Sequence, residues 1–186
     1  MVKVNKKNFK KLIATIVILG TGVVAGTSGY NRNDFGGWID ADGDCQTTRQ
    51  EVLIRDADAP VTMSADNCTV IAGMWIDPYT GEQFTNPKDL DIDHLVALKN
   101  AWNSGANEWD KEKRKEYANY LGNNFHLLAV KASENRKKGY KAPDEYLPPK
   151  QDFQCQYVDL WVKVKSQWEL TITGSELKTI KQVCGK

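Results

Sequence analysis

The chain has 186 residues, 41% hydrophobic and 26% charged, with six Trp, four Cys and two His. That is enough for one globular domain with a real core, and no internal repeat or low-complexity tract interrupts it. Residues 1–25 hold five of the 25 basic residues and none of the 24 acidic ones, so the remainder carries a net charge of about −4; with no Cys-x-x-Cys spacing and only His94 and His126 as histidines, a Cys/His zinc site is not expected.

In chain order, the first segment is basic: Met1 to Lys11 has five lysines and no acid, and Leu12 to Ala25 is apolar with small residues at its end. This reads as a secretory signal peptide over 1–25. The apolar run of about fourteen residues is short of the roughly 20 that span a bilayer, and an uncleaved membrane anchor is the alternative. Residues 26–37 are rich in Gly, Ser and Asn and predict a flexible lead-in to a single domain over 38–186. A short helix is predicted over 48–56, and a β-hairpin from Thr69–Ile76 and Glu82–Thr85 around the turn Asp77-Pro-Tyr-Thr-Gly81. A strand follows at 89–98, then a helical stretch over 100–120 broken at Ser104-Gly105, with Trp102 and Trp109 facing inward. A second strand at 125–131 leads into a short helix at 132–140, and after a Pro-rich turn two helices occupy about 150–168 and 175–183.

Charge is unevenly placed. Residues 30–93 carry thirteen acids against four bases, whereas 111–141 carry nine bases against three acids. An acidic part that holds metal beside a basic stretch that meets a polyanion fits this pattern. Lys111 to Glu116 reads as ordinary helix surface, and Arg136, Lys137, Lys138 and Lys141 as phosphate contacts. An even cysteine count in an exported chain predicts two disulfides. Three pairings are possible; pairing within each half, Cys45 with Cys68 and Cys155 with Cys184, is the simplest. Asp40, Asp42, Asp44 and Glu51 have calcium-loop spacing, but Cys45 replaces the turn glycine and no helix precedes, so an acidic loop tethered by Cys45 is expected.

The decisive block is Asp91-Ile-Asp93-His94-Leu-Val, followed about thirty residues later by Phe-His126-Leu-Leu-Ala-Val and Asn135-Arg136-Lys-Lys138-Gly139. Strand, excursion, strand and helix bring a carboxylate, an imidazole and a carboxamide together. Oxygen ligands suit a hard divalent cation, and an imidazole suits a general base near neutral pH. Here the sequence resembles the HNH, or ββα-metal, nucleases, and is most similar to their secreted branch. Ala-Trp-Asn-Ser-Gly-Ala (101–106), Tyr-Ala-Asn-Tyr-Leu (117–121), Trp38-Ile-Asp-Ala-Asp-Gly-Asp and Thr48-Arg-Gln-Glu-Val-Leu-Ile-Arg share in the likeness, which covers roughly 34–184.

The resemblance implies an α+β fold: a ββα-metal (HNH) nuclease core with an N-terminal β-hairpin extension and C-terminal helices. It implies a secreted, metal-dependent endonuclease that cleaves DNA, and RNA as a second substrate, with low sequence specificity. Asp93 and Asn135 would hold Mg²⁺, or Mn²⁺ in its place, and His94 would be the general base. His126 stands where the family usually has Asn; it joins the catalytic set with a bracing role preferred over a direct contact. Asn119 would brace the connection, and Arg49 with Glu51 would form a core ion pair or touch substrate. Asp93 and His94 are adjacent in a strand and should face opposite ways, so one site can use both only where the strand ends or bends. Two other readings fit the residues: a calcium-stabilised secreted binding module that has lost activity, and an antibacterial nuclease toxin with an immunity partner.

Overall fold

A computed structural model describes residues 29–185. The signal peptide expected over 1–25 lies outside them. The fold is mixed α+β, with two small antiparallel sheets and helices packed around them.

Thr48–Arg55 forms the first helix, α1, as its sequence predicts. The expected hairpin is present as β2 (Val70–Ile76) and β3 (Gln83–Phe84), but a third strand, β1 (Ala59–Met63), extends it into a sheet of order β1-β2-β3. Pro60 hides β1 from a reading by strand propensity. It is tolerated because β1 lies at the sheet edge, where a missing N–H costs no ladder bond, and the β1–β2 register is irregular there.

The second sheet is the pair β4 (Leu90–His94) and β5 (Leu127–Lys131), aligned Leu90↔Lys131 through His94↔Leu127. Between them run α2 (Leu98–Asn103), a single 3-10 turn at Ala106–Glu108 and α3 (Lys111–Ala118). The expected break at Ser104-Gly105 falls between α2 and that turn. The helix α4 (Ala132–Lys138) begins on the residue after β5 ends. α5 (Gln151–Gln167) and α6 (Gly174–Val183) close the chain, α6 with a Thr173/Glu176 capping box.

Period-2 alternation explains what β4 does. Leu90 and Ile92 enter a core cluster with Val52, Leu53, Val70, Trp75, Leu127 and Ala129. Asp91 and Asp93 face the other way, toward α4. A larger core, containing Tyr117, Tyr157, Trp161 and Trp168, lies under α5. Lys165, fully buried on α5, donates to both Glu176 oxygens (2.9 and 3.0 Å) and so ties α5 to α6.

Both local disulfides form, Cys45–Cys68 and Cys155–Cys184, and no cysteine among the described residues is free. Among those residues no helix is long and apolar enough to cross a membrane.

The lead-in differs from its composition. Residues 32–35 form a 3-10 turn, and Phe35 is 0% exposed, with ring centroids 6.3 Å from Tyr117 and 6.4 Å from Trp102. Two aromatic anchors outweigh the Gly and Asn content: burying a ring the size of Phe removes enough apolar area from water to hold a short segment down.

Candidate active site

β4 ends at His94, and that ending is what lets neighbouring residues share one place. The Asp93 and His94 side chains do diverge, yet both border one open cavity of about 400 Å³, together with Asn135 and Arg136 from α4. Tyr30, Arg32, Lys99 and Tyr140 stand around the same cavity.

His94 is held on three sides. Its ring lies parallel to Trp38 (centroids 5.3 Å, 8° between planes) and to Tyr117 (6.3 Å, 8°). Its Nε2 is 2.9 Å from the Ala118 carbonyl at the end of α3. A carbonyl only accepts, so Nε2 carries the proton and the lone pair of the neutral ring is on Nδ1. Burial pushes the His94 pKa well below its ordinary value, and the neighbouring His126 adds to that. The geometry therefore favours a neutral imidazole with one basic nitrogen.

His126 stands behind this arrangement. It is fully buried, does not border the cavity, and donates from Nε2 to the Tyr117 carbonyl at 2.7 Å. The contact ties the segment leading into β5 to the end of α3, and it places the ring behind the cavity wall rather than at it. Its Nδ1 has no partner, and burial depresses its pKa from 6.5 to about 4. A folded-state pKa below the unfolded one means the unfolded chain binds the proton first. Stability is thus complete above about pH 6.5 and is lost as pH falls toward 4. Between pH 7.5 and pH 5 this one ring should cost about 2 kcal/mol, measurable as a lower urea midpoint, and an unchanged midpoint would contradict the buried neutral ring.

The metal candidates sit along the seam of β4 and α4. Asp93 is buried, accepting from the Tyr79 hydroxyl at 2.6 Å and from Lys138 Nζ at 2.9 Å. Burial pushes its carboxyl up, against the pull of the Lys138 ammonium and the Tyr79 hydroxyl. The Asn135 carboxamide approaches Asp91 instead, with Nδ2 3.3 Å from Oδ2. A half-turn of the amide exchanges its nitrogen for its oxygen. Asp91 and Asn135 then present oxygen to the seam, and each Asp93 oxygen, already accepting from Tyr79 or Lys138, keeps a second lone pair; oxygen donors of this kind suit a hard divalent cation. Asp91, in contact with Asn135 and Arg136, is a candidate that sequence reasoning missed. Its spacing of two from Asp93 on a strand, which puts both on one face, is the signal that finds it.

The basic stretch is not the uniform phosphate grip expected of it. Lys138 is 0% exposed and donates to Asp93 Oδ1 and, at 3.1 Å, to the His94 carbonyl. This corrects its reading as a phosphate contact: three residues after Asn135, it faces β4 rather than solvent. Lys137 lies 3.3 Å from Glu134, and Lys141 donates to the Lys137 carbonyl at 2.9 Å. Neither borders the cavity. Arg136 does, 74% exposed and 3.6 Å from Asp91.

Asn119 accepts from Ile39 N–H and Thr48 and donates to Gly37 and Lys115 carbonyls, joining the N-terminal segment to α3. Arg49 donates to the Pro87 and Leu90 carbonyls, both at 2.9 Å, rather than to Glu51. Away from the cavity, Asp40, Asp42 and Asp44 converge, exposed, in the loop that Cys45 tethers.

Residues 48–182 match the family of GmrSD restriction endonucleases, C-terminal domain. The chain belongs to that family. The HNH-type resemblance in its sequence is thereby borne out. An Arthroderma benhamiae protein named "Uncharacterized secreted protein" is 41% identical over 149 residues, which cover 80% of this chain and 71% of that protein. No solved structure matches the chain. Within this GmrSD-family domain, β4, β5 and α4 all fall inside the matched range, whereas Tyr30, Arg32 and Trp38 precede it and still reach the cavity or the His94 ring.

Proposed function

We propose that the chain is an exported, metal-dependent endonuclease that hydrolyses phosphodiester bonds in DNA, and in RNA as a second substrate, with little sequence selectivity. The observation that carries this reading is His94. Its Nε2–H is committed to the Ala118 carbonyl, and its ring stands at a cavity edged by Asn135 and Arg136. The arrangement of β4, β5 and α4 supports a ββα-metal core. The family, whose name is that of restriction endonucleases, supports a nucleic-acid substrate. Two disulfides and a relative named as secreted support export.

His94 Nδ1 would take a proton from water, creating the nucleophile. Burial keeps the ring neutral and so free to accept that proton, and its fixed orientation means the transfer needs no reorganisation of the base. Asp91, Asp93 and Asn135 would hold a divalent cation of the Mg²⁺ or Mn²⁺ kind. When bound, the cation supplies charge stabilisation to the phosphate and the leaving oxygen. Lys138 fixes the Asp93 carboxylate and the His94 backbone in one grip, so ligand strand and base keep their relative position. Arg136, at the open edge, is placed to meet a substrate phosphate.

The purified chain from residue 26 should nick and then linearise supercoiled plasmid with Mg²⁺ or Mn²⁺, and should lose that activity in chelator. Cleavage undiminished by chelator would remove the cation from the proposal.

A further inference from the structure

Beyond the side chains assigned to the reaction, the cavity keeps Tyr30, Arg32, Lys99 and Tyr140. With Arg136 they put three cations and two phenols around one opening, although the chain after residue 25 carries a net charge of about −4. Tyr140 is 51% exposed, and every other Phe, Tyr and Trp among the described residues is buried or half-buried. Its position is built. Gly139 adopts φ 56° and its N–H donates to the Asn135 carbonyl at 2.8 Å, which ends α4 and turns the chain immediately after the helix that carries Asn135 and Arg136. From the other side of the cavity, Lys99 on α2 places its Nζ 4.0 Å from the Tyr140 ring centroid. The ring is thus oriented by a cation that itself stays at the opening.

Ammonium and guanidinium groups match phosphates, and an aromatic face matches the face of a nucleobase. In an intact duplex the base faces are covered by their neighbours. An aromatic ring at the opening finds a base only where the strand is unpaired. We propose that Tyr140 is a nucleobase-stacking platform, with Lys99, Arg32 and Arg136 as phosphate contacts, and that the substrate is single-stranded nucleic acid in preference to intact duplex. The proposal rests on the phosphodiester-hydrolase reading above.

The test uses the chain from residue 26 with Mg²⁺ and Mn²⁺, and three labelled substrates of one sequence: single-stranded DNA, the matching RNA, and blunt duplex DNA. The single strands should be cut with kcat/KM at least about 10-fold above the duplex. Tyr140→Ala should raise KM on single strands by about 5- to 150-fold, the range that stacking one base is worth, and bring the single-strand to duplex ratio toward one. Tyr140→Trp, which restores a broad ring, should restore that ratio. Equal cleavage of single strand and duplex by the parent, or a parental ratio in Tyr140→Ala, overturns the proposal. Anisotropy binding of the labelled single strand to His94→Asn, with and without Tyr140→Ala, separates the two readings. Tyr140-dependent binding with no cleavage of any substrate by the parent would sink the hydrolase reading and leave the platform. Cleavage together with Tyr140-independent binding would sink the platform alone.

Discussion

His94→Asn should lower plasmid cleavage by about 10²- to 10⁴-fold, the usual worth of a positioned general base. Asn keeps a polar, planar side chain beside Trp38 and near the Ala118 carbonyl, so far-UV circular dichroism and the unfolding transition should persist. The loss should fall on kcat more than on KM, because the base acts on the attacking water and not on the resting substrate. Turnover near the parent's would show that the proton goes elsewhere and that the His94–Ala118 contact serves only packing.

The second large effect is on stability. Lys138→Met should destabilise the fold by about 3–5 kcal/mol, the cost of leaving a buried charge without its partner. Asp93 would keep the Tyr79 hydroxyl but lose the cation 2.9 Å away. Burial already pushes the Asp93 carboxyl up, and without the ammonium it would rise further. A raised folded-state pKa makes the deficit largest at high pH and narrows it, relative to the parent at the same pH, as acid neutralises the carboxyl. Lys141→Met, at an exposed position, should change stability by no more than about 0.5 kcal/mol. Urea unfolding of both variants at two pH values checks the contrast, and equal losses from Lys138 and Lys141 would mean that the Asp93 pair contributes nothing.

The same lysine shows where sequence reading stops. Residues 136–141 look like one solvated basic run, and nothing local separates Lys138 from Lys137. Only the docking of α4 on β4 brings a side chain three residues after Asn135 against a carboxylate two residues after Asp91. The core pattern was legible because period-2 alternation and apolar runs report burial directly, so α1, the β2–β3 hairpin, β4, β5 and the later helices were anticipated. Pro60 masked β1, since an edge strand tolerates what a central strand would not. The Gly- and Asn-rich segment before Trp38 suggested freedom, but Phe35 settles it against Tyr117 and Trp102. His94 was legible as chemistry, whereas the proton on its Nε2 was not, because that depends on where the end of α3 falls.

That helix end has a consequence for motion. The last four carbonyls of any helix lack partners within it. In α3, Lys115 and Glu116 bond to the Asn119 backbone N–H, Tyr117 to His126, and Ala118 to His94. Two ring N–H groups thus close what would otherwise fray. Opening of the final turn would release the His94 tautomer and the His126 brace in the same event. Hydrogen exchange at Asn119 and catalytic competence should then report one local unfolding equilibrium, and a denaturant concentration far below global unfolding that speeds the first should silence the second.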